Sequence, residues 1–301
     1  MARSFRDEIA KNKRSSILLV ILISIILFTL VCTFTYIFAP KFIFLTLPIS
    51  IVFIALYTYG SYNYGDRVVL AATNAKPAEG REYQYLRDTV EGLSIASGIP
   101  TPKIYVIEEP EINAFATGRD PEHASIAVTT GSINELNRLE LEGVLAHELS
   151  HIKNRDILFM TLVAVLVGLV AILSHIILRS FWYGSMRRER KEKREAGSIF
   201  ILVLLVGFVL AVFAPIAVRI VQFAISRRRE YLADASSVEL TRYPEGLASA
   251  LEKIMKKNRG NMDVSEAISH LFFVDPKRSP LDELYATHPP IEERIKRLRA
   301  M

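Results

Sequence analysis

The stretch His147-Glu148-Leu149-Ser150-His151 decides how the rest of the chain is interpreted. It has the H-E-x-x-H pattern, in which two histidines one helical turn apart share a face and can bind one metal ion. Glu148 stands beside such an ion without having to ligate it, so its carboxylate can take a proton from a water molecule. The stretch therefore predicts a zinc site on a helix, with Glu148 as the catalytic base.

Four apolar segments lie on either side of this motif, and each is long enough to cross a membrane. A hydrocarbon layer about 30 Å thick needs roughly 20 apolar residues of helix, and the segments cover residues 17–38, 42–59, 157–178 and 199–225. The first two segments form a hairpin, so the amino terminus and the motif lie on the same side of the membrane. Basic residues before the first segment make this the cytoplasmic side of the plasma (inner) membrane. The basic loop 187–194 would then lie outside, against the same rule, so a hairpin that dips in and returns is the alternative to two full spans.

These segments divide the chain into four parts. We expect residues 1–60 to form a cytoplasmic tail and a transmembrane hairpin, and residues 61–156 to form the first part of a catalytic domain with the zinc helix. Residues 157–225 are expected to form a second transmembrane hairpin with the basic loop. Residues 226–301 complete the catalytic domain.

Between the two hairpins, the pattern predicts a helix and a small sheet. Apolar residues at helical spacing cover residues 81–97, and Gly98 is a typical helix end. Three stretches rich in β-branched and aromatic residues follow, at 103–107, 113–117 and 125–129. We expect them to form an antiparallel sheet.

The zinc helix is expected to begin at a cap formed by Ser132 or Asn134 and to continue to about Asn154. Apolar residues at helical spacing predict two further helices, one over residues 243–258 and one from Pro290 onward.

A catalytic zinc site usually has three protein ligands, and we place the third at Glu230. His151 lies six residues before the third apolar segment, and Glu230 lies five residues after the fourth. At 1.5 Å per helical residue, both stand about 8 to 9 Å from the same membrane boundary, at matching heights. The alternative for Glu230 is a surface ion pair with Arg227 or Arg228.

Two carboxylates are candidates for orienting the ligand histidines. Asp234 lies one turn beyond Glu230 on the same helical face, where it can accept the free N–H of a histidine and fix the tautomer. Asp156 is a weaker candidate, because a charge at a helix end near the membrane surface explains it equally well. We interpret His123 and His270 as structural or solvated.

Composition narrows the class of protein. Half of the residues are hydrophobic, yet Lys and Arg outnumber Asp and Glu by 37 to 32, which suits a membrane protein with basic, water-facing ends. The net charge of +5 fits attraction to anionic lipid, and without any RNA- or DNA-binding motif we exclude nucleic acid as a partner. Cys32 is the only cysteine, which excludes an intramolecular disulfide and a cysteine-built metal site.

Three groups of residues carry a resemblance to a known family. They are the zinc-helix motif followed by two apolar spans and Arg-Arg-Glu-Tyr-Leu-Ala-Asp at 228–234, Asn-Ala-Phe-Ala-Thr-Gly at 113–118, and Thr-His-Pro-Pro at 287–290 followed by Arg294. Together they resemble the HtpX family of membrane metallopeptidases, relatives of the type I CAAX prenyl proteases. The resemblance implies a mainly α membrane protein with four transmembrane helices and a cytoplasmic, gluzincin-like α+β metallopeptidase domain with a small antiparallel sheet.

The resemblance also implies roles for individual residues. The ligands would be His147, His151 and Glu230 with Glu148 as base, in agreement with the derivation from position; the remaining implied residues are Asn113, His288 and Arg294. Asn113 looks like the family's substrate-strand residue near the scissile carbonyl, and His288 looks like the residue that stabilises the tetrahedral oxyanion. Arg294 would support that histidine or bind substrate. From the residues alone each role stays ambiguous, since a histidine before two prolines is more often a helix-entry residue.

We therefore expect an endopeptidase with one Zn²⁺ per chain that cleaves polypeptides, above all misfolded or damaged proteins of the lipid bilayer. An extended substrate would add as a strand beside the small sheet near Asn113. One alternative is a maturation protease for specific or prenylated precursors. Another, from a different class, is a non-catalytic membrane protein with a structural metal.

Overall fold

The computed structural model describes residues 40–165, 227–277 and 288–301, together with Gly168 and scattered positions between 14 and 35. The apolar segment 199–225 and the basic loop 187–194 lie outside the described residues, as does His175, a histidine near the end of the third apolar segment. The segments 17–38 and 157–178 are described only in part.

The apolar segment predicted over residues 42–59 belongs to a longer helix, α1 (Ile43–Ala72). Among the described residues, α1 alone is long and apolar enough to cross a membrane, with 30 residues and only 11% of its apolar window buried. At 1.5 Å per residue it is about 45 Å long, which exceeds a hydrocarbon layer. Its last turns, with Val69 and Leu70, pack against Phe115 and Ala127 of the sheet. The helix therefore runs directly into the domain that carries the zinc motif.

Helix α2 (Gln84–Ser97) follows a 3-10 turn at Arg81–Tyr83 and ends at Gly98, as predicted. Gly98 adopts a φ of 71°, in the left-handed region that glycine accepts without steric cost. Leu86, Val90 and Leu93 are buried in the main core, so the helical spacing identified the correct face.

The sheet differs from the predicted antiparallel arrangement, because it is mixed. Its strands are β1 (Lys76–Pro77), β2 (Lys103–Ile107), β3 (Ala114–Gly118) and β4 (Ala124–Thr129), in the order β1-β2-β4-β3. β3 and β4 form an antiparallel pair, whereas β2 runs parallel to β4. The chain that leaves β2 passes beyond the position of β4 before it turns back, and this crossover makes the pair parallel and puts β3 at the end of the sheet.

The zinc helix also begins later than predicted. A short helix α3 (Thr130–Glu135) ends at Leu136, whose ψ of 137° is extended, and the long helix α4 (Arg138–Lys153) starts afresh. Its cap is Asn137, which accepts the Glu140 N–H at 3.0 Å while the Glu140 carboxylate accepts the Asn137 N–H at 2.7 Å. The prediction of a cap at Ser132 or Asn134 was wrong, because this reciprocal pair satisfies the free N–H groups of the helix start.

Helix α5 (Asp156–Val165) follows α4, and the described residues from 227 onward form four helices. These are α6 (Arg227–Thr241), α7 (Pro244–Lys257), the short α8 (Glu266–Ser269) and α9 (Ile291–Leu298). The structure confirms the helices predicted over 243–258 and from Pro290 onward.

Helix α4 lies at the centre of this group and contacts α6 and α7 closely. At Gly143 a Cβ atom would lie 2.7 Å from the backbone nitrogen of Leu247, so the α4 and α7 backbones meet with no room for a side chain. Gly143 thus sets how closely the zinc helix approaches α7.

Candidate active site

Helix α4 carries the motif histidines and Glu148 in the interior, and α6 brings Glu230 opposite them; all four residues are buried. The Nε2 atoms of His147 and His151 lie 3.1 Å apart. The Glu230 carboxylate lies 3.7 Å from the first Nε2 and 3.5 Å from the second. Ligand atoms of the three residues all lie within 4.8 Å of one another, so they could hold one metal ion. Glu230 is therefore not a surface partner of a neighbouring arginine.

The other ring nitrogen of each histidine is held by a carboxylate. His147 Nδ1 lies 3.0 Å from Asp234 Oδ1, and His151 Nδ1 lies 3.1 Å from Asp156 Oδ2. A carboxylate accepts an N–H, so these contacts favour the proton on Nδ1 and direct both Nε2 lone pairs towards Glu230. Two imidazoles and one carboxylate that converge in this way are a donor set that fits zinc.

The electrostatics of the group favour a cation. Burial lowers the pKa of His151, but the hydrogen bond to Asp156 and the charge of Glu230 raise it by more, to about 9. Burial raises the pKa of Glu230, yet the neighbouring histidines hold it well below its usual range. A positive charge between the histidines is thus stabilised by carboxylates on two sides.

Glu148 differs from the other acids of the site. Burial raises the pKa of its carboxyl group above the ordinary value, and the nearby histidines offset this only in part. A carboxylate whose pKa is shifted towards neutrality is suited to accept and then release a proton.

Arg294, which is fully buried, lies behind the metal-binding group and holds Asp234 in place. Its Nε and Nη2 donate to the two Asp234 oxygens at 2.9 and 2.7 Å, and Nη1 donates to the Phe273 carbonyl at 3.3 Å. Burial raises the pKa of Asp234, but Arg294 and His147 lower it by more, to about 2. The structure therefore places Arg294 against Asp234, which in turn holds His147, rather than in support of His288.

His288 lies beside the ligand carboxylate. Its Nδ1 is 3.2 Å from Glu230 Oε2, and 8% of the residue is exposed. Its Nε2 is buried and has no hydrogen-bond partner among the described residues. One ring nitrogen is therefore anchored by Glu230, and the other makes no hydrogen bond within the described part of the chain.

Asn113 is fully buried at the start of β3, and its side chain is already engaged. Its Oδ1 accepts the N–H groups of Ala114 at 3.1 Å and Val274 at 3.2 Å, and its Nδ2 donates to the Val274 carbonyl at 3.0 Å. The Asn113 amide therefore bonds to the segment Phe272–Val274 of the same chain, and its position near the scissile carbonyl of a substrate stays a prediction.

Sequence reasoning missed this segment. Phe273 packs its ring 4.9 Å from the ring of His147 and 4.6 Å from the Arg294 guanidinium. The available signal was the apolar run Leu271-Phe272-Phe273-Val274 before Asp275-Pro276, which has the composition of a buried strand. The short helix α8 ends at Ser269, before this run begins.

The sequence matches the family described as Peptidase family M48 over residues 81–301. It is 46% identical over 302 residues to a protein named Protease HtpX homolog from Caldanaerobacter subterraneus subsp. tengcongensis, which covers 99% of this chain and 98% of that protein. A Protease HtpX homolog from Thermoanaerobacter pseudethanolicus is 45% identical over 292 residues and covers 97% of this chain and 96% of its own length.

Among solved structures, Ste24p of S. mikatae has a similar fold. The TM-score is 0.50 at 21% sequence identity, and the match covers 88% of this chain. The chain spans 64% of the length of that protein, so the likeness concerns the fold alone.

Proposed function

Because the chain belongs to peptidase family M48 and is a membrane-associated metalloprotease, we propose that it is a zinc-dependent endopeptidase that hydrolyses internal peptide bonds. The observation that carries the proposal is the buried convergence of His147, His151 and Glu230 next to Glu148. Three protein ligands leave one position of a tetrahedral zinc site for the reaction.

The side chains of the site have distinct proposed tasks. A zinc ion held by the three ligands would supply a Lewis acid that polarises the scissile carbonyl. Glu148 takes a proton from the attacking water and passes it to the leaving amine, in keeping with its raised pKa. His288 keeps Nδ1 towards Glu230 and, when its unpartnered Nε2 also carries a proton, donates a hydrogen bond from Nε2 to the oxyanion. Asp234 and Asp156 keep the two ligand rings oriented.

The decisive test is Glu148→Gln, which removes the proton acceptor but keeps the size of the side chain. We expect kcat for casein cleavage to fall about 10²- to 10⁴-fold, the usual contribution of a general base, while zinc stays bound. The control is Glu142→Gln, a half-buried position on the same helix, which should retain activity. Zinc content is measured on both variants, and normal cleavage by a zinc-loaded Glu148→Gln protein would refute the assignment.

The rival function, a structural metal in a non-catalytic protein, differs in the number of ligands. A structural site is closed by four protein ligands, whereas the group that the described residues form has three. X-ray absorption of the zinc-loaded protein counts nitrogen and oxygen ligands, and a site closed by four protein groups would favour the rival.

We further propose that the substrates are misfolded or damaged membrane proteins and that the catalytic domain faces the cytoplasm. In this proposal residues 1–60 and 157–225 form hairpins that cross the membrane, and residues 61–156 and 226–301 build the domain. The last turns of the long apolar helix α1 pack against the sheet of this domain, which supports a site held close to the bilayer. One substrate presented in membrane-embedded and in soluble form tests this, since equal rates would contradict it. Labelling at Arg190 from outside the membrane tests the topology, because position 190 is reachable from outside only if both segments of the second hairpin cross fully.

A further inference from the structure

The outer edge of β3 is paired with a segment from the second half of the chain, Phe272–Val274. Phe272 forms an antiparallel bridge with Phe115, and the Phe273 N–H donates to the Ala114 carbonyl at 2.8 Å. The segment thus lies where an extended peptide would add to the sheet, and in the antiparallel direction. All five residues of β3 are buried as a result.

Two side chains from other elements hold the backbone of this segment. Asn113 contacts both polar backbone groups of Val274 through the two ends of its amide. Arg294 donates to the Phe273 carbonyl. Contacts to backbone groups do not depend on side-chain identity, so the same contacts could hold a peptide whatever its sequence.

The side chains of the segment point in alternate directions, as in a strand. The Phe272 ring packs at 5.0 Å on Phe115, on the face of the sheet that α1 covers. The Phe273 ring lies against His147, a residue of the metal-binding group. The segment therefore passes between the edge of the sheet and the metal-binding helix.

We propose that Phe272–Val274 occupies the substrate groove as an internal substrate mimic, which a polypeptide substrate must displace. The proposal rests on the proposed endopeptidase function and adds the binding mode. The substrate strand pairs with β3, Arg294 holds the carbonyl of the residue that takes the place of Phe273, and Asn113 holds the residue after it.

The residues that surround Phe272 and Phe273 also predict which substrate side chains would fit the groove. The position of Phe273 lies among aromatic and cationic groups and accepts a large flat side chain. The position of Phe272 is equally apolar, and the two residues are only 1% and 2% exposed. Two neighbouring apolar residues are common in membrane and core segments and become accessible when a protein is damaged.

The first experiment compares Val274→Pro with Val274→Ala in the full-length, zinc-loaded enzyme, with casein as substrate. Proline removes the N–H that bonds to Asn113, while alanine keeps the N–H and shortens the side chain. If the segment competes with substrate, Val274→Pro lowers KM about tenfold, the effect of one buried hydrogen bond, and leaves kcat unchanged. A strand that only stabilises the fold would instead lower kcat in both variants without lowering KM, and that result would overturn the proposal.

The second experiment needs no turnover and no change in the segment. Hydrogen exchange is followed in zinc-loaded Glu148→Gln protein with and without saturating casein. Displacement predicts faster exchange of the Phe273 and Val274 amides when casein binds, with the amides of α7 unchanged. Unchanged or slower exchange at these two amides would show that the segment stays in place, and would refute the proposal even if Val274→Pro failed to fold.

The third measurement maps the casein bonds that the wild-type enzyme cuts. Cuts beside Phe, Tyr or Leu are expected, and cuts with no preference for large apolar neighbours would contradict the assignment of the two positions. If zinc-loaded wild type and both Val274 variants leave casein intact, the proposed function itself fails. The exchange experiment still decides whether casein displaces the segment.

Discussion

Each histidine of the H-E-x-x-H motif contacts one carboxylate, but the two carboxylates differ in their surroundings. Asp234 accepts two hydrogen bonds from the fully buried Arg294. Removing Asp234 would therefore also leave the buried Arg294 cation without its partner. Asp156 lies at the start of α5, and besides His151 it has Arg229 at 3.8 Å. Asp156 therefore offers the cleaner test of what a histidine partner contributes.

We predict that Asp156→Asn weakens zinc binding about 10- to 100-fold, the usual effect of losing the partner of a ligand histidine. The amide no longer carries the charge that favours a cation at His151. Competition with a chelating zinc indicator measures the affinity. The control, Asp88→Asn, removes an exposed carboxylate of α2 and should leave the affinity unchanged; equal losses in both variants would contradict the role of Asp156.

A second residue-scale effect concerns His270, which is fully buried next to the end of α8. Its Nε2 donates to the Met160 carbonyl at 3.1 Å, so the ring ties α8 to α5. Burial, together with the charge of His288, lowers the pKa of His270 to about 4, although the bond to Met160 opposes the shift. The folded protein thus keeps this imidazole neutral in weakly acidic solution.

The pH dependence of stability follows from that shift. Between about pH 6.5 and pH 4 the unfolded chain binds a proton at His270 that the folded protein does not, so the free energy of unfolding decreases as the pH falls. The decrease attributable to His270 should approach about 3 kcal/mol at pH 4. Thermal unfolding in detergent from pH 4 to 7 measures it. His270→Gln should flatten the curve, whereas His123→Gln, which removes an exposed imidazole, should not.

At the scale of elements, the position of the zinc helix depends on one close approach between backbones. A methyl group at Gly143 would meet the backbone nitrogen of Leu247 at 2.7 Å, and backbone cannot rotate away as a side chain can. His147 lies one turn further along α4. Any shift that relieves the contact therefore moves the first ligand relative to Glu230.

We predict that Gly143→Ala destabilises the protein by about 1 to 3 kcal/mol, as overpacked cores usually are, and also weakens zinc binding. Gly92→Ala is the matched control on α2, where no atom lies within 4 Å of the added Cβ. Alanine is the better helix former, so this control should gain up to about 1 kcal/mol. Thermal midpoints and zinc affinities of both variants test the pair, and similar midpoints would refute the argument.

The elements also show what the sequence could predict. The faces of α2 and α7 were predictable because burial of one side leaves a helical period in the sequence. The order of the strands was not predictable, because the sequence of a strand does not show which other strand it pairs with. The contact of Asn113 with Val274 joins residues 161 positions apart, so no local pattern could reveal it. The grouping of His147, His151 and Glu230 was predictable because the motif and the ends of the apolar segments both restrict where a third ligand can lie.

At the scale of the molecule, the metal-binding group joins two halves of the chain that are far apart in sequence. His147 and His151 come from α4, and Glu230 comes from α6. The contact between these helices places buried, charged side chains face to face, where like charges and unpaired imidazoles would be costly. A divalent cation at this point would neutralise the carboxylates and bind the helices together.

Metal removal should therefore affect the fold as well as activity. A ligand that binds only the folded state stabilises it by about 4 kcal/mol at a thousandfold excess over its Kd. We predict that chelation lowers the thermal midpoint by several degrees and that stoichiometric zinc restores it. Glu148→Gln should show the same shift as wild type, since Glu148 is not a ligand, while Glu230→Gln should show a smaller one. An unchanged midpoint in wild type after complete removal of zinc would contradict a metal that joins α4 to α6.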